Sequence, residues 1–153
     1  MILIKNTQRT YPIDEPAITC MVQTALDALG YGDFDIGIWF TTNMTIASYN
    51  YEYRHKHGPT DILSFPYHTD IRAGQKIIPQ NADEANLGDL IISPEFIYIS
   101  PRWQDTPEDE RFAMVLVHGI CHLVGYDHES DEDYEVMHKK EQQLLKRIYK
   151  QCD

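Results

Sequence analysis

The chain has 153 residues and a mass of 17.8 kDa, the size of one domain with a hydrophobic core of its own. Hydrophobic residues at 42% with 11% aromatics exclude a disordered or collagen-like chain, and the longest apolar run, Phe112–Val117, is too short to span a membrane. A formal charge of −11 opposes long-range attraction to nucleic acid, yet residues 51–80 carry 4 basic and 3 acidic side chains plus His55, His57 and His68, a basic island in an acidic chain.

Ile2-Leu3-Ile4 reads as a short strand. From Pro16, the positions Ile18, Met21, Val22, Ala25, Leu26 and Leu29 have helical spacing, which stops at Gly30 and Gly32. Residues 35–40 alternate as a half-buried strand does, and Asn43 is placed to cap a helix that carries Met44, Ile46, Ala47 and Tyr49, Tyr51 and Tyr53. His57-Gly58-Pro59 marks a turn, 61–67 a strand, 69–86 a polar flexible loop, and Leu87–Ser93 another strand. Thr106 is expected to cap a helix with Pro107 at its first position, and Gly125 sits where that helix would stop. Ser130 caps a last helix to about Tyr149, acidic in its first turn (Asp131, Glu132, Asp133) and basic near its end (Lys146, Arg147, Lys150), as the helix dipole favours. With no repeat or long linker, residues 1–153 form a single α+β domain: a small mixed four-stranded sheet packed with about five helices. The opening MILIKNTQRT lacks an apolar leader, and three scattered cysteines (Cys20, Cys121, Cys152) suit a reducing compartment, so a cytoplasmic location is expected.

The chemistry concentrates in His118-Gly-Ile-Cys-His122-Leu-Val-Gly125-Tyr-Asp-His128. Two histidines four apart on a helix leave the same face, where their rings can share one metal ion. A chain reversal at Gly125 lets His128 return as a third ligand, and three protein ligands leave a position open for catalysis. Three imidazoles favour zinc among divalent ions, with nickel, copper and iron also compatible by ligand type, one ion per chain in a site like that of the zincins and metzincins. Zinc peptidases share this spacing but carry a Glu as general base where this chain has Gly119. The metal cradle is kept and the peptidase base is absent, so another metal-assisted hydrolysis is the better reading. Cys121 is assigned to packing.

The stretch His118–His128 resembles the signature HGxxHLxGYDH of the YbeY endoribonuclease family. Asn50, Tyr53-Arg54 and Pro59-Thr60-Asp61-Ile62-Leu63-Ser64-Phe65-Pro66 are similar to its YR…PTDVLSFP block, and Leu87–Ser93 to its LGDIxIS strand. Cys121 stands where the family usually has Leu, and the loop at 69–86 is unusually long and polar. The resemblance implies a single-strand-specific, metal-dependent endoribonuclease acting in small-subunit ribosomal RNA 3′-end maturation and ribosome quality control. It implies metal ligation by His118, His122 and His128, an essential role for Arg54, and RNA with the ribosome or its proteins as partners, with neither membrane nor DNA. A guanidinium fork at Arg54 suits the charge that builds on a phosphodiester during cleavage. His55, Lys56 and Ser64 are candidates for substrate contact, and Asp127, Asp61 and Asp89 for an imidazole partner or general base. Two other readings share the site: a zinc peptidase or related metallohydrolase, and a non-catalytic ribosome-assembly factor with a structural metal.

Overall fold

The computed structural model describes residues 1–152. Four strands, β1 (Ile2–Asn6), β2 (Asp35–Phe40), β3 (Ile62–Pro66) and β4 (Asn86–Ile92), make one sheet in the order β1-β2-β4-β3. The first two pairings are parallel and β3 runs antiparallel to β4, so the sheet is mixed as expected. Five α-helices accompany it: α1 (Glu15–Leu29), α2 (Asn43–Arg54), α3 (Pro94–Ile99), α4 (Glu108–Leu123) and α5 (Asp131–Gln151).

Strand alternation sends side chains to two different environments. On one face Ile36, Ile38 and Phe40 of β2 and Leu90 and Ile92 of β4 pack with Val22 and Leu26 of α1 and Leu116, Ile120 and Leu123 of α4 in the main core. The apolar stripe of α5, Met137, Leu144, Leu145 and Ile148, closes the same core. On the opposite face Ile46 of α2 covers Leu63 and Ile91, with Trp39, Tyr49 and Phe65 around them. Tyr51 and Tyr53 are more than half exposed, so the tyrosine cluster of α2 is only partly core.

The structure departs from the sequence reading at several ends. Thr42, rather than Asn43, caps α2: its hydroxyl accepts the Thr45 N–H, while the Asn43 amide oxygen accepts from Ser93 Oγ at 2.6 Å. Thr106 does not cap α4. The Thr106 carbonyl is held by Arg111 Nε at 2.8 Å, Pro107 is extended at ψ 137°, and the helix starts at Glu108 without a side-chain cap. Glu108, Asp109 and Glu110 still meet the positive helix end. The expected cap of α5 is present, with Ser130 Oγ accepting from Asp133 N at 3.1 Å. Helix α3 was not anticipated; Ser93 caps it and Pro94 opens it. The 69–86 segment is pinned rather than free: Ile77 is buried in the core and its N–H donates to the Tyr31 hydroxyl at 2.9 Å.

Cysteine usage differs as well. Cys20 of α1 and Cys152, just beyond α5, form a disulfide across 132 residues, contrary to the reduced set expected from an odd, scattered count. Only Cys121 stays a free thiol, fully buried on α4 as packing requires. Among the described residues, no helix is long and apolar enough to cross a membrane.

Candidate metal centre

Helix α4 delivers His118 and His122 one turn apart at its C-terminal end. At Gly125 the chain takes φ +101°, a left-handed turn, and an added Cβ would lie 2.6 Å from the Ile71 carbonyl. The tight reversal returns His128 to the other two rings. One nitrogen from each of His118, His122 and His128 lies within 4.8 Å of the others, and the ring centroids are 4.7 to 5.7 Å apart.

Hydrogen bonding fixes which nitrogens face inward. His122 Nδ1 donates to the Tyr126 carbonyl at 2.9 Å, so its proton is on Nδ1 and its Nε2 carries a bare lone pair. His118 Nδ1 lies 2.8 Å from Glu141 Oε2, an acceptor when ionised, which fixes the same tautomer. The two Nε2 atoms then face each other at 3.2 Å. That separation suits either a shared proton or a shared cation, and two nitrogens on one tetrahedral zinc sit ~3.3 Å apart. The donor set therefore fits a divalent ion of the zinc type. Burial, and secondarily the neighbouring His118 and His128, lowers the His122 pKa to about 4, which keeps this imidazole neutral and able to ligate. Burial, with Glu141 adding to it, pushes the Cys121 thiol up to about 12, so it stays protonated beside the site.

Glu141 escaped the sequence reading. It lies on α5 between Met137 and Leu145 at intervals of four, an acidic residue on an otherwise apolar stripe, and that interruption was the available signal.

The three imidazoles open into a cleft of about 870 Å³. Arg54, the last residue of α2, lines it together with Lys56 and Ser64. Asn50 Nδ2 donates to the Gly58 carbonyl at 2.9 Å and ties the 55–60 turn back onto α2. His55 does not line the cleft; it is the C-cap of α2, in a left-handed conformation at φ +57°. Ser64 Oγ donates to the Gly119 carbonyl at 3.4 Å, joining β3 to α4 beside the ligands.

The three aspartates separate cleanly. Asp127 lies in the cleft, exposed, with Oδ1 accepting the His128 N–H at 2.7 Å rather than an imidazole proton. Asp61 lines the cleft but is buried, accepting from Ile62 N at 2.8 Å and Trp103 Nε1 at 3.1 Å. Asp89 is on the other face of the sheet, beside Gly37 and away from the imidazoles. At Gly119, the position of the peptidase base, an added Cβ would lie 2.5 Å from Ile62 Cδ1 and 2.9 Å from Leu90 Cδ2. Helix α4 meets the sheet there, with no space for a carboxylate.

The family model described as Endoribonuclease YbeY matches residues 3–149. Among curated relatives, the human Endoribonuclease YbeY is 32% identical over 147 residues, covering 96% of this chain and 87% of that protein. The Alteromonas mediterranea Endoribonuclease YbeY is 36% identical over 119 residues, covering 78% and 70%. The solution structure of TM1509 from Thermotoga maritima has the same fold, with a TM-score of 0.61 at 20% identity over 97% of this chain and 89% of that one. A three-histidine cradle at the end of α4, a family match over almost the full length and relatives above 30% identity agree: the chain belongs to the YbeY endoribonuclease family.

Proposed function

We propose that this protein is a single-strand-specific, metal-dependent endoribonuclease that matures the 3′ end of small-subunit ribosomal RNA and serves ribosome quality control, with the ribosome or its proteins as partners. The observation that carries the chemistry is the three inward-facing imidazoles sharing one cleft with Arg54.

His118, His122 and His128 would hold one divalent ion, zinc by the chemistry of the donors, and residues 1–153 would act as one catalytic domain. Such an ion supplies Lewis acidity toward a phosphoryl oxygen or a water. Arg54 would grip the phosphodiester with its planar fork and stabilise the charge that develops on the non-bridging oxygens, with Lys56 and Ser64 extending the contact surface. Glu141 and the Tyr126 carbonyl hold the imidazole tautomers. With Asp61 committed to three hydrogen-bond donors and Asp89 on the far face, Asp127 would be the aspartate of the three that moves a proton at the cleft. The packing at Gly119 argues against the peptidase reading.

The test pairs the parent with Arg54→Ala, purified identically, on a small-subunit RNA carrying an unprocessed 3′ end. Cleavage by the parent with a loss of at least ~100-fold in the variant is the expected result. Equal cleavage by both would assign the activity to a contaminating ribonuclease or remove Arg54 from the mechanism.

A further inference from the structure

The cleft contains a second arginine that neither the sequence motifs nor the family match single out. Arg102 belongs to a 3-10 turn, Pro101–Trp103, that follows α3 and reaches the cleft from the side of β3. Its side chain is 63% exposed, and its Nη1 lies 3.7 Å from Oδ2 of the buried Asp61. The next residue anchors the turn: Trp103 is buried and donates through Nε1 to the same Oδ2 at 3.1 Å. The Ser100 hydroxyl accepts the Arg102 N–H at 3.3 Å and fixes the start of the turn.

These contacts dispose of two simpler roles. Arg102 is not needed to hold Asp61, which already accepts from Trp103, Ile62 and Thr60, and the Arg102 nitrogen at 3.7 Å is beyond hydrogen-bond distance. Nor is the guanidinium used up, since one nitrogen at 3.7 Å from a carboxylate leaves most of the five donors of a cleft-lining side chain without that partner. The buried carboxylate acts on the arginine instead, steering a long side chain to one side of the opening. In a chain of net charge −11, Arg54, Lys56 and Arg102 outnumber Asp61 and Asp127 on this one cleft, which is locally positive.

We propose that Arg102 is a second phosphate-binding residue, which contacts the backbone of a single-stranded RNA at a phosphate other than the one held by Arg54. The proposal rests on the reading of the cleft as an RNA site. A phosphate contact has a signature that a structural role lacks. Each neutralised phosphate on a single strand contributes about 0.7 to the slope of log affinity against log salt.

The experiment titrates metal-loaded protein against a labelled single-stranded oligoribonucleotide with 2′-O-methyl groups, at several salt concentrations. Arg102→Ala is expected to weaken binding about 3–10-fold at 0.1 M salt and to lower the slope by about 0.7. Arg102→Lys should keep the slope and recover part of the affinity, because charge is retained and the fork is lost. Lys150→Ala, an exposed charge at the end of α5, controls for general charge loss and should leave the slope unchanged. An unchanged slope in Arg102→Ala, or an equal fall in Lys150→Ala, overturns the proposal while the RNA reading stands. A parent without salt-dependent RNA affinity overturns that reading, and the proposal falls with it.

Discussion

Glu141 shows how one side chain from a different helix can set the properties of a metal cradle. Both α4 histidines must present Nε2, and a free imidazole has no strong preference between its tautomers. The Tyr126 carbonyl settles the matter for His122 and the Glu141 carboxylate for His118, at 2.9 and 2.8 Å. Removing the carboxylate frees the His118 ring to rotate and to place its proton on the ligating nitrogen. Glu141→Ala is therefore expected to weaken zinc binding about 10–100-fold, measured by competition with a chromophoric chelator. Glu141→Gln should recover much of that loss, because its amide oxygen still accepts from Nδ1. Equal affinity in all three proteins would reduce Glu141 to a packing residue. Gly119, on the same helix, acts at this scale through what it lacks. The contacts that a Cβ would make with Ile62 and Leu90 let α4 lie directly on β3 and β4, and so bring the imidazoles to the edge of the cleft formed by β3.

Elements were legible in the sequence where local chemistry decides them, and illegible where tertiary contacts do. The Ser130 cap with its acidic first turn, the stop of α4 at Gly125 and the His-x-x-x-His spacing all follow from neighbours along the chain, and the structure has them. The cap at Thr106 failed because Arg111, anchored through Nη1 to the Ile97 carbonyl of α3 at 3.2 Å, also takes the Thr106 carbonyl and ends the preceding turn differently. Glu141 and Arg102 reach the site from elements distant in sequence, so no local pattern placed them there. Gly88 shows both sides of the matter: a glycine inside a strand was visible, but its reason was not. It follows an extra residue in β4, where the pairing with β2 steps from Asp35↔Asn86 to Ile36↔Gly88. Its φ is +115°, and an added Cβ would stand 2.1 Å from the Phe65 carbonyl of β3. Gly88→Ala must both leave that conformation and push β3 away, at a cost of at least ~2 kcal/mol. For a chain of this size the melting temperature should fall by roughly 4–8 °C, with faster amide exchange along 62–66. A melting temperature equal to that of the parent would show that the strand pair tolerates the side chain and that the close approach is not a constraint.

For the whole molecule, the division between core and site predicts what metal removal does. The twelve largest fully buried side chains, from Leu26 on α1 to Leu123 on α4, belong to the sheet and the helices, and none comes from the 124–130 segment that brings His128 to the other two imidazoles. The disulfide between Cys20 and Cys152 also ties α1 to the end of α5 without reference to the site. The fold should therefore survive without a cation, in contrast to small zinc domains whose metal replaces a core. Only the cluster of inward lone pairs and the turn after Gly125 should respond, through the free energy of binding to the folded state alone. At a free zinc concentration 100 times Kd that linkage is ~2.7 kcal/mol. Chelated protein, kept free of reductant so that the disulfide stays closed, is accordingly expected to show an unchanged far-ultraviolet circular dichroism spectrum and a melting temperature lower by roughly 5–10 °C, restored by zinc. His128→Ala should abolish most of the zinc-dependent rise while leaving the melting temperature of the chelated form nearly unaltered, because its side chain is exposed. Loss of the helical spectrum on chelation would make the metal a structural element and return the assembly-factor reading to contention. A melting temperature that responds to no divalent transition metal would remove the metal site, and with it the metal-dependent nuclease.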